Sequence, residues 1–371
     1  MMTAVPTVEP TYDPNFSEKS RQDFVLSLKR LANGAAQQRV RQAYRQEVLP
    51  RLRAERGAEP QRRADIDSPL AQSLAFRYWA VLTHHSQSMM WDAIEPTARR
   101  VEPDVARRLG ALRTRKTLGS LELDPALVAP TPIGDTEIHR QPGGYCGLVE
   151  GEDLMPGLRY FGASMIYSVG KGNTQAATDG RAKVLLDEIA RRRPGFAPKR
   201  ILDLGCGIGV HAQPIALAFP QAQYHAVDVA AGLLRYGHLL AEERGAAIHF
   251  HQRDAADTRF AAASFDLVIS NILFHETSHA GVPRILRECR RVLAPGGLMI
   301  HADVATQVSR LELDDQAMNA WQDRWNGEPF WSGFAETDMR AALIDAGFPA
   351  EQVFAEHVKG GSGLAYVFGA A

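Results

Sequence analysis

The sequence predicts a doubly wound α/β domain with a seven-stranded, largely parallel sheet closed by an antiparallel hairpin, preceded by a mainly helical N-terminal part. Three observations carry this. From residue 200 onward short apolar runs alternate with helix-patterned text, which is the signature of a parallel sheet wound on both faces. The stretch ILDLGCGIGV at 201–210 runs straight from strand text into a glycine turn, and the last two apolar runs flank the glycine-rich KGGSG. With 371 residues, 45% hydrophobic and 23% charged, the chain is long enough for two domains with cores of their own.

Taken in order, residues 1–17 (MMTAVPTVEPTYDPNFS) read as a disordered terminus, without the basic and apolar run of a leader. Helical spacing of Phe24, Leu28 and Leu31, then Val40, Tyr44, Val48 and Leu52, predicts two helices broken near Asn33-Gly34. Ser68-Pro69 forms a cap and first-turn pair for helical text reaching residue 112. Prolines and glycines between 119 and 165 mark a linker and ligand-facing loops. The expected division is a helical domain over 18–160, for dimerisation and capping of substrate, and an α/β domain over 161–371. A helix near 174–193 precedes strands at 200–204, 223–227, 248–252, 265–269 and 298–301, with helices between them. A helix at ETDMRAALIDAGF and strands at VFAEHV and LAYVFG complete the seven.

Charge divides the chain although its total is −1: residues 1–120 carry +7 and the remainder −8. The arginines of RVRQAYRQEVLPRLRAER are interleaved with glutamates and lack aromatic platforms, so a solvated helix face is expected and nucleic acid is not. Cys146, Cys206 and Cys289 have no CxxC spacing, which fits a reducing, cytoplasmic setting. No apolar stretch approaches the ~18 residues needed to cross a bilayer, so no membrane partner is expected.

The glycine turn is G-x-G-x-G, with Gly205, Gly207 and Gly209 behind Asp203, and not the G-x-G-x-x-G of a dinucleotide site. It resembles the first motif of the class I S-adenosylmethionine-dependent methyltransferases. The resemblance extends over about 165–371 through four more landmarks in the family's order. These are Asp228 closing the second strand in YHAVDV, Asp254-Ala255 closing the third, SFDLVISNILFHE, and RECRRVLAPGGLMIHADV. It implies S-adenosyl-L-methionine as cofactor, its amino group near Asp203, its ribose on Asp228 beside Val229, its adenine by Asp254 and Ala255, with Asn271 and a lid residue, Tyr167, also in contact.

Methyl transfer is an in-line displacement, so the protein aligns the acceptor and removes a proton where one is lost. His275, and behind it His301, stand at the mouths of strands four and five, where a histidine suits general-base work. His275, Glu276 and His301 also make a two-histidine, one-carboxylate set, but Asp303 without a following Asn departs from the catechol-type pattern, and no metal is expected. Trp321, Trp325 and Trp331, with Tyr145 and Tyr160 upstream, are candidate walls of an acceptor pocket. The expected activity is methylation of an oxygen, nitrogen or carbon of a small molecule, in secondary metabolism, by a homodimer. The rivals are an RNA or protein methyltransferase, disfavoured because SNIL replaces an Asn-Pro-Pro-Tyr-like motif, and a non-catalytic cofactor-binding scaffold.

Overall fold

The computed structural model describes residues 12–131, 133–147, 153–170, 177–360 and 363–371. Asn15 starts the first helix, α1 (Phe16–Leu31), by a capping box: its side chain accepts the Glu18 amide at 3.0 Å and the Glu18 carboxylate accepts the Asn15 amide at 2.9 Å. Such a cap contributes ~1 kcal/mol. Order therefore reaches further toward the N-terminus than the expected boundary at 17. Tyr12 is buried, receiving the Gln22 amide at 3.1 Å and lying against Gly162, where a Cβ would collide with its ring. Residues 1–11 lie outside the described residues.

The Asn33-Gly34 pair does not break the helix. It falls in a π turn (Ala32–Ala36) that continues into α2 (Gln37–Ala43), a second π turn (Tyr44–Val48) and α3 (Leu49–Arg56). The extra residue in each π turn re-phases the helix, so that Ala36, Val40, Val48 and Leu52 all face one core. After α4 (Asp67–Ala71), Ser73 caps α5 (Leu74–Leu112), 39 residues long.

The remaining elements are β1 (Ser120–Glu122), α6 (Met155–Gly170), α7 (Ala177–Arg192), β2 (Arg200–Leu204), α8 (Ala212–Ala218), β3 (Gln223–Asp228), α9 (Ala231–Arg244), β4 (Ile248–Gln252), β5 (Phe265–Asn271), α10 (Gly281–Val292), β6 (Leu293–Val304), α11 (Leu313–Trp325), α12 (Trp331–Glu336), α13 (Met339–Asp345), β7 (Val353–Gly360) and β8 (Gly363–Ala370). One sheet runs β1-β4-β3-β2-β5-β6-β8-β7, with β8 antiparallel to both neighbours and every other pair parallel. The sheet has eight strands and not seven. The eighth, β1, comes from the stretch read as linker; Glu242 holds it by accepting the amides of Leu118 and Gly119 at 3.0 and 2.7 Å.

Strand order reverses at β2, which lies between β3 and β5, so the cleft at its carboxyl end is the place for a ligand. The helical and α/β parts are not separate bodies. Val25 of α1, Ile94 of α5 and Leu158 of α6 share a core with Leu233 and Tyr236 of α9, and α6 runs across the expected boundary at 160/161. Among the described residues, no helix is long and apolar enough to cross a membrane.

Gly119 passes so close to the Ile248 carbonyl that a Cβ would collide with it. Gly119→Ala should detach β1, lowering the melting temperature by roughly 2–5 °C and raising amide exchange over residues 120–122. Unchanged exchange there would show that β1 is held by other contacts.

Candidate active site

A cavity of about 530 Å³ opens at the carboxyl ends of β2, β3, β5 and β6 and extends beneath α1, α5, α6 and α11. Its inner wall is the glycine turn. Gly205, Gly207 and Gly209 have φ of +64°, +56° and +67°, a region that side chains resist. A Cβ at Gly205 would come within 2.5 Å of Leu273, and one at Gly207 would face the Tyr160 ring at 3.8 Å. Bare backbone thus lines a narrow slot opposite an aromatic ring.

Beside this slot the Asp228 carboxylate accepts the Gly207 amide at 2.8 Å and the Ala230 amide at 2.9 Å. Burial raises its pKa while these amides oppose the rise. Val229, Asp254, Ala255 and Asn271 also line the cavity, and Asp254 is oriented by the Ala256 amide at 2.8 Å. The cofactor candidates on β3, β4 and β5 therefore converge. Asp203 stands apart: it is fully buried, and its carboxylate is taken by Tyr224 Oη at 2.9 Å and His211 Nε2 at 3.0 Å, leaving it off the cavity wall. Gly209 likewise packs inward on Phe250. The Tyr167 side chain lies outside the described residues.

The second half of the site is built on β6. Asp303 is buried, its Oδ2 accepting the Phe274 amide at 2.8 Å and its Oδ1 accepting His275 Nδ1 at 2.6 Å. Those bonds hold the single helical turn Phe274–Glu276 over the end of β5. Burial pulls the His275 ring toward neutrality, but the charges of Asp303 and Glu276 outweigh it and push the pKa up to about 10. His275 is an imidazolium at neutral pH.

Glu276 is the hub of the acceptor end. Its Oε1 lies 3.3 Å from His275 Nε2, 2.7 Å from His139 Nε2 and 3.2 Å from Tyr145 Oη, and burial is overcome by the two histidines, which hold it ionised. The other nitrogen of His139, Nδ1, lies 2.6 Å from Glu328. Against burial, the two carboxylates raise His139 well above its ordinary pKa. Its backbone is strained: His139 and Arg140 both have positive φ (54° and 57°) without being glycine. The His139 carbonyl accepts Gln87 Nε2 at 2.8 Å and Trp91 Nε1 at 2.9 Å, and its amide donates to the Gly327 carbonyl, which together hold the ring between two carboxylates.

Other expectations fail on the same geometry. His301 is fully buried behind the strand, its Nδ1 2.8 Å from Ser270 Oγ and its ring against Phe274 and Phe368. Burial lowers its pKa to about 3, and its place off the cavity wall keeps it from an acceptor and apart from Glu276. Trp321 packs edge-on against Trp79 in the helical core at 5.1 Å, and Trp325 is half-exposed under Arg324. Trp331 lines the cavity edge-on to His275 at 5.4 Å, and Tyr145 and Tyr160 line it together. Sequence reading missed His139, Glu328, Gln141 and Lys29. They sit in loops and on a distant helix with no motif around them, and only burial of paired charge singles them out.

Residues 201–297 match a family model described as a methyltransferase domain. The chain is similar to the malonyl-[acyl-carrier protein] O-methyltransferase of Methylococcus capsulatus, with 38% identity over 45% of this chain and 63% of that one. It is also similar to the demethylmenaquinone methyltransferase of Thermus thermophilus, with 38% identity over 28% of this chain and 46% of that one. The chain thus spans roughly half the length of these relatives. Among solved structures, a SAM-dependent methyltransferase from Aquifex aeolicus shares 16% identity over 55% of this chain and 96% of that one, with a TM-score of 0.39.

The His275–Asp303 pair has a pH signature. Because the folded pKa is raised from 6.5 to about 10, the pair's stabilisation is complete below pH 6.5, declines as pH rises and is gone above about 10. By NMR the His275 ring should titrate near pH 10, and in Asp303→Asn it should move down toward the ordinary histidine range. A wild-type ring titrating near 6.5 would remove the ion pair from the site.

Proposed function

We propose that this chain, which carries a class I methyltransferase domain, transfers a methyl group from S-adenosyl-L-methionine to a polar small molecule bound against His275 and Glu276. The observation that carries the reading is one continuous cavity joining a side-chain-free glycine slot and the Asp228 carboxylate to a buried, charged acceptor end. Gly205 and Gly207 leave bare backbone beside the Asp228 carboxylate, which permits close approach of the cofactor, with Asp228 for ribose hydroxyls and Asp254 and Ala255 for adenine. When bound, the cofactor supplies an electrophilic methyl on sulfur. The concave, buried polar end favours a metabolite over an RNA or protein acceptor.

The chain's own residues then align the acceptor and accept its proton. Asp303 orients His275 through Nδ1 and stabilises the imidazolium, leaving Nε2 toward Glu276 and the cavity. Because the ring is an imidazolium at neutral pH, only its small neutral fraction accepts the proton, and that fraction, with turnover, grows as pH rises toward about 10. Tyr145 keeps its proton through burial and the nearby Glu276 charge, and serves as a donor.

A homodimer through the N-terminal helices belongs to the same proposal. It is supported by Leu74, Tyr78 and Val81, one stripe of α5 with exposures of 82%, 49% and 56%. Tyr78→Glu should then yield a monomer by light scattering, whereas an unchanged mass would place any contact elsewhere.

For the activity, the full chain is incubated with labelled S-adenosyl-L-methionine and, separately, a metabolite extract, RNA and protein; label should enter the metabolite fraction. Asp228→Ala should weaken S-adenosylhomocysteine binding by about 1.5–3 kcal/mol in calorimetry. His275→Ala should spare that binding and lower turnover by ~10²–10⁴. Unchanged affinity in Asp228→Ala would falsify the cofactor assignment.

A further inference from the structure

We propose that the end of the cavity formed by α5, the 137–141 loop and the α11–α12 connection recognises a nitrogen cation with hydrogen-bond donors, an ammonium or guanidinium group carried by the acceptor molecule. The inference rests on the methyltransferase reading and adds to it the chemical class of the substrate.

The grounds are unpaired acceptor oxygens. Glu276 and Glu328 are buried to 8% and 7% exposure, and each commits Oε1 to His139. Among the described residues, Oε2 of Glu276, Oε2 of Glu328, Oε1 of Gln322 and Oδ1 of Asn326 have no hydrogen-bond partner, and all four side chains line the cavity. Gln141, fully buried on the same wall, has neither amide atom partnered. Each such dry, unpaired oxygen costs free energy that a ligand donor reaching it would recover. A carboxylate or phosphate brings no donor.

Charge points the same way. The acidic groups here are Glu276, Glu328 and Asp303; His275 and His139 offset two of them, which leaves one negative charge. Lys29 also lines this space, its Nζ donating to Gln87 at 2.6 Å and feeling Glu328; burial lowers its pKa to about 7, so its charge is incomplete near neutrality. Trp91 and Trp331 line the same space and give it aromatic walls.

A divalent metal is the competing occupant, since donor atoms of His139, Glu276 and Glu328 lie within 4.8 Å of one another. Both ring nitrogens of His139 are already engaged by carboxylates at 2.6 and 2.7 Å, however, so a metal would have to replace those contacts, whereas an ammonium or guanidinium leaves them in place.

The test uses the full chain saturated with S-adenosylhomocysteine. Phenyl, indolyl and butyl skeletons, each as amine, alcohol and carboxylate, are compared by calorimetry, with Zn²⁺ and Mg²⁺ alone as further arms. On at least one skeleton the amine should bind at least ~10-fold more tightly than its alcohol and carboxylate partners, the size expected of a charge-assisted hydrogen bond. Glu328→Gln should remove that preference and leave S-adenosylhomocysteine affinity unchanged. Gln322→Leu, which leaves the His139 pairs intact, should weaken amine binding in the same direction. The proposal is overturned if no amine exceeds its alcohol, if carboxylates bind best, or if a metal binds through Glu328 in place of the amines. Loss of S-adenosylhomocysteine binding by the wild type would instead overturn the methyltransferase reading itself, and this proposal with it.

Discussion

Asp303 is a carboxylate taken out of water at the end of a central strand, and an ion in that position must be compensated on every side. Its partners are the Phe274 and Val304 amides and the His275 ring, so the need to satisfy one buried charge determines where β6 ends, how the chain turns after β5 and which way His275 points. From there the pairing propagates. His275 faces Glu276, Glu276 pairs with His139, and His139 pairs with Glu328. This end of the cavity is one chain of alternating carboxylates and histidines.

That chain ties the two halves of the molecule together. Asp303 and His275 belong to the α/β sheet, whereas His139 is positioned by Gln87 and Trp91 of α5 and by the Gly327 carbonyl. Two successive residues in the left-handed region cost free energy, which those contacts offset. The N-terminal helices are thus part of the site and not a lid resting on a finished one. The shared core of α1, α5, α6 and α9 and the capture of β1 by Glu242 are further parts of the same union.

The wall of the cavity around the glycine turn was legible in the sequence to a degree the wall around Glu276 was not. Gly205, Gly207, Asp228, Asp254 and Asn271 lie at strand ends within the span from β2 to β5, where spacing along the chain translates directly into position across the sheet. The same logic misled at Asp203 and His301. Both occupy strand positions near the cleft, but one residue of alternation turns a side chain to the opposite face, and burial among Tyr224, His211, Phe274 and Phe368 is the result. Trp321 went to the helical core because it shares the apolar face of α11 with Leu313, Ala317 and Met318, whereas the α11 residue that lines the cavity is the polar Gln322.

By itself the sequence determined the order of strands and helices, the glycine turn and the acids that come after it, because these depend on local backbone preference and on periods of two and 3.6 residues. It also marked His275 and Asp303 as candidates. Tertiary structure alone decided that Ser120–Glu122 joins the sheet, that His139 stands between Glu276 and Glu328, and that His275 is held as an imidazolium. The first two outcomes depend on groups more than a hundred residues apart in the chain and the third on Asp303, 28 residues from His275, brought together in dry surroundings, and no local pattern in the chain encodes that.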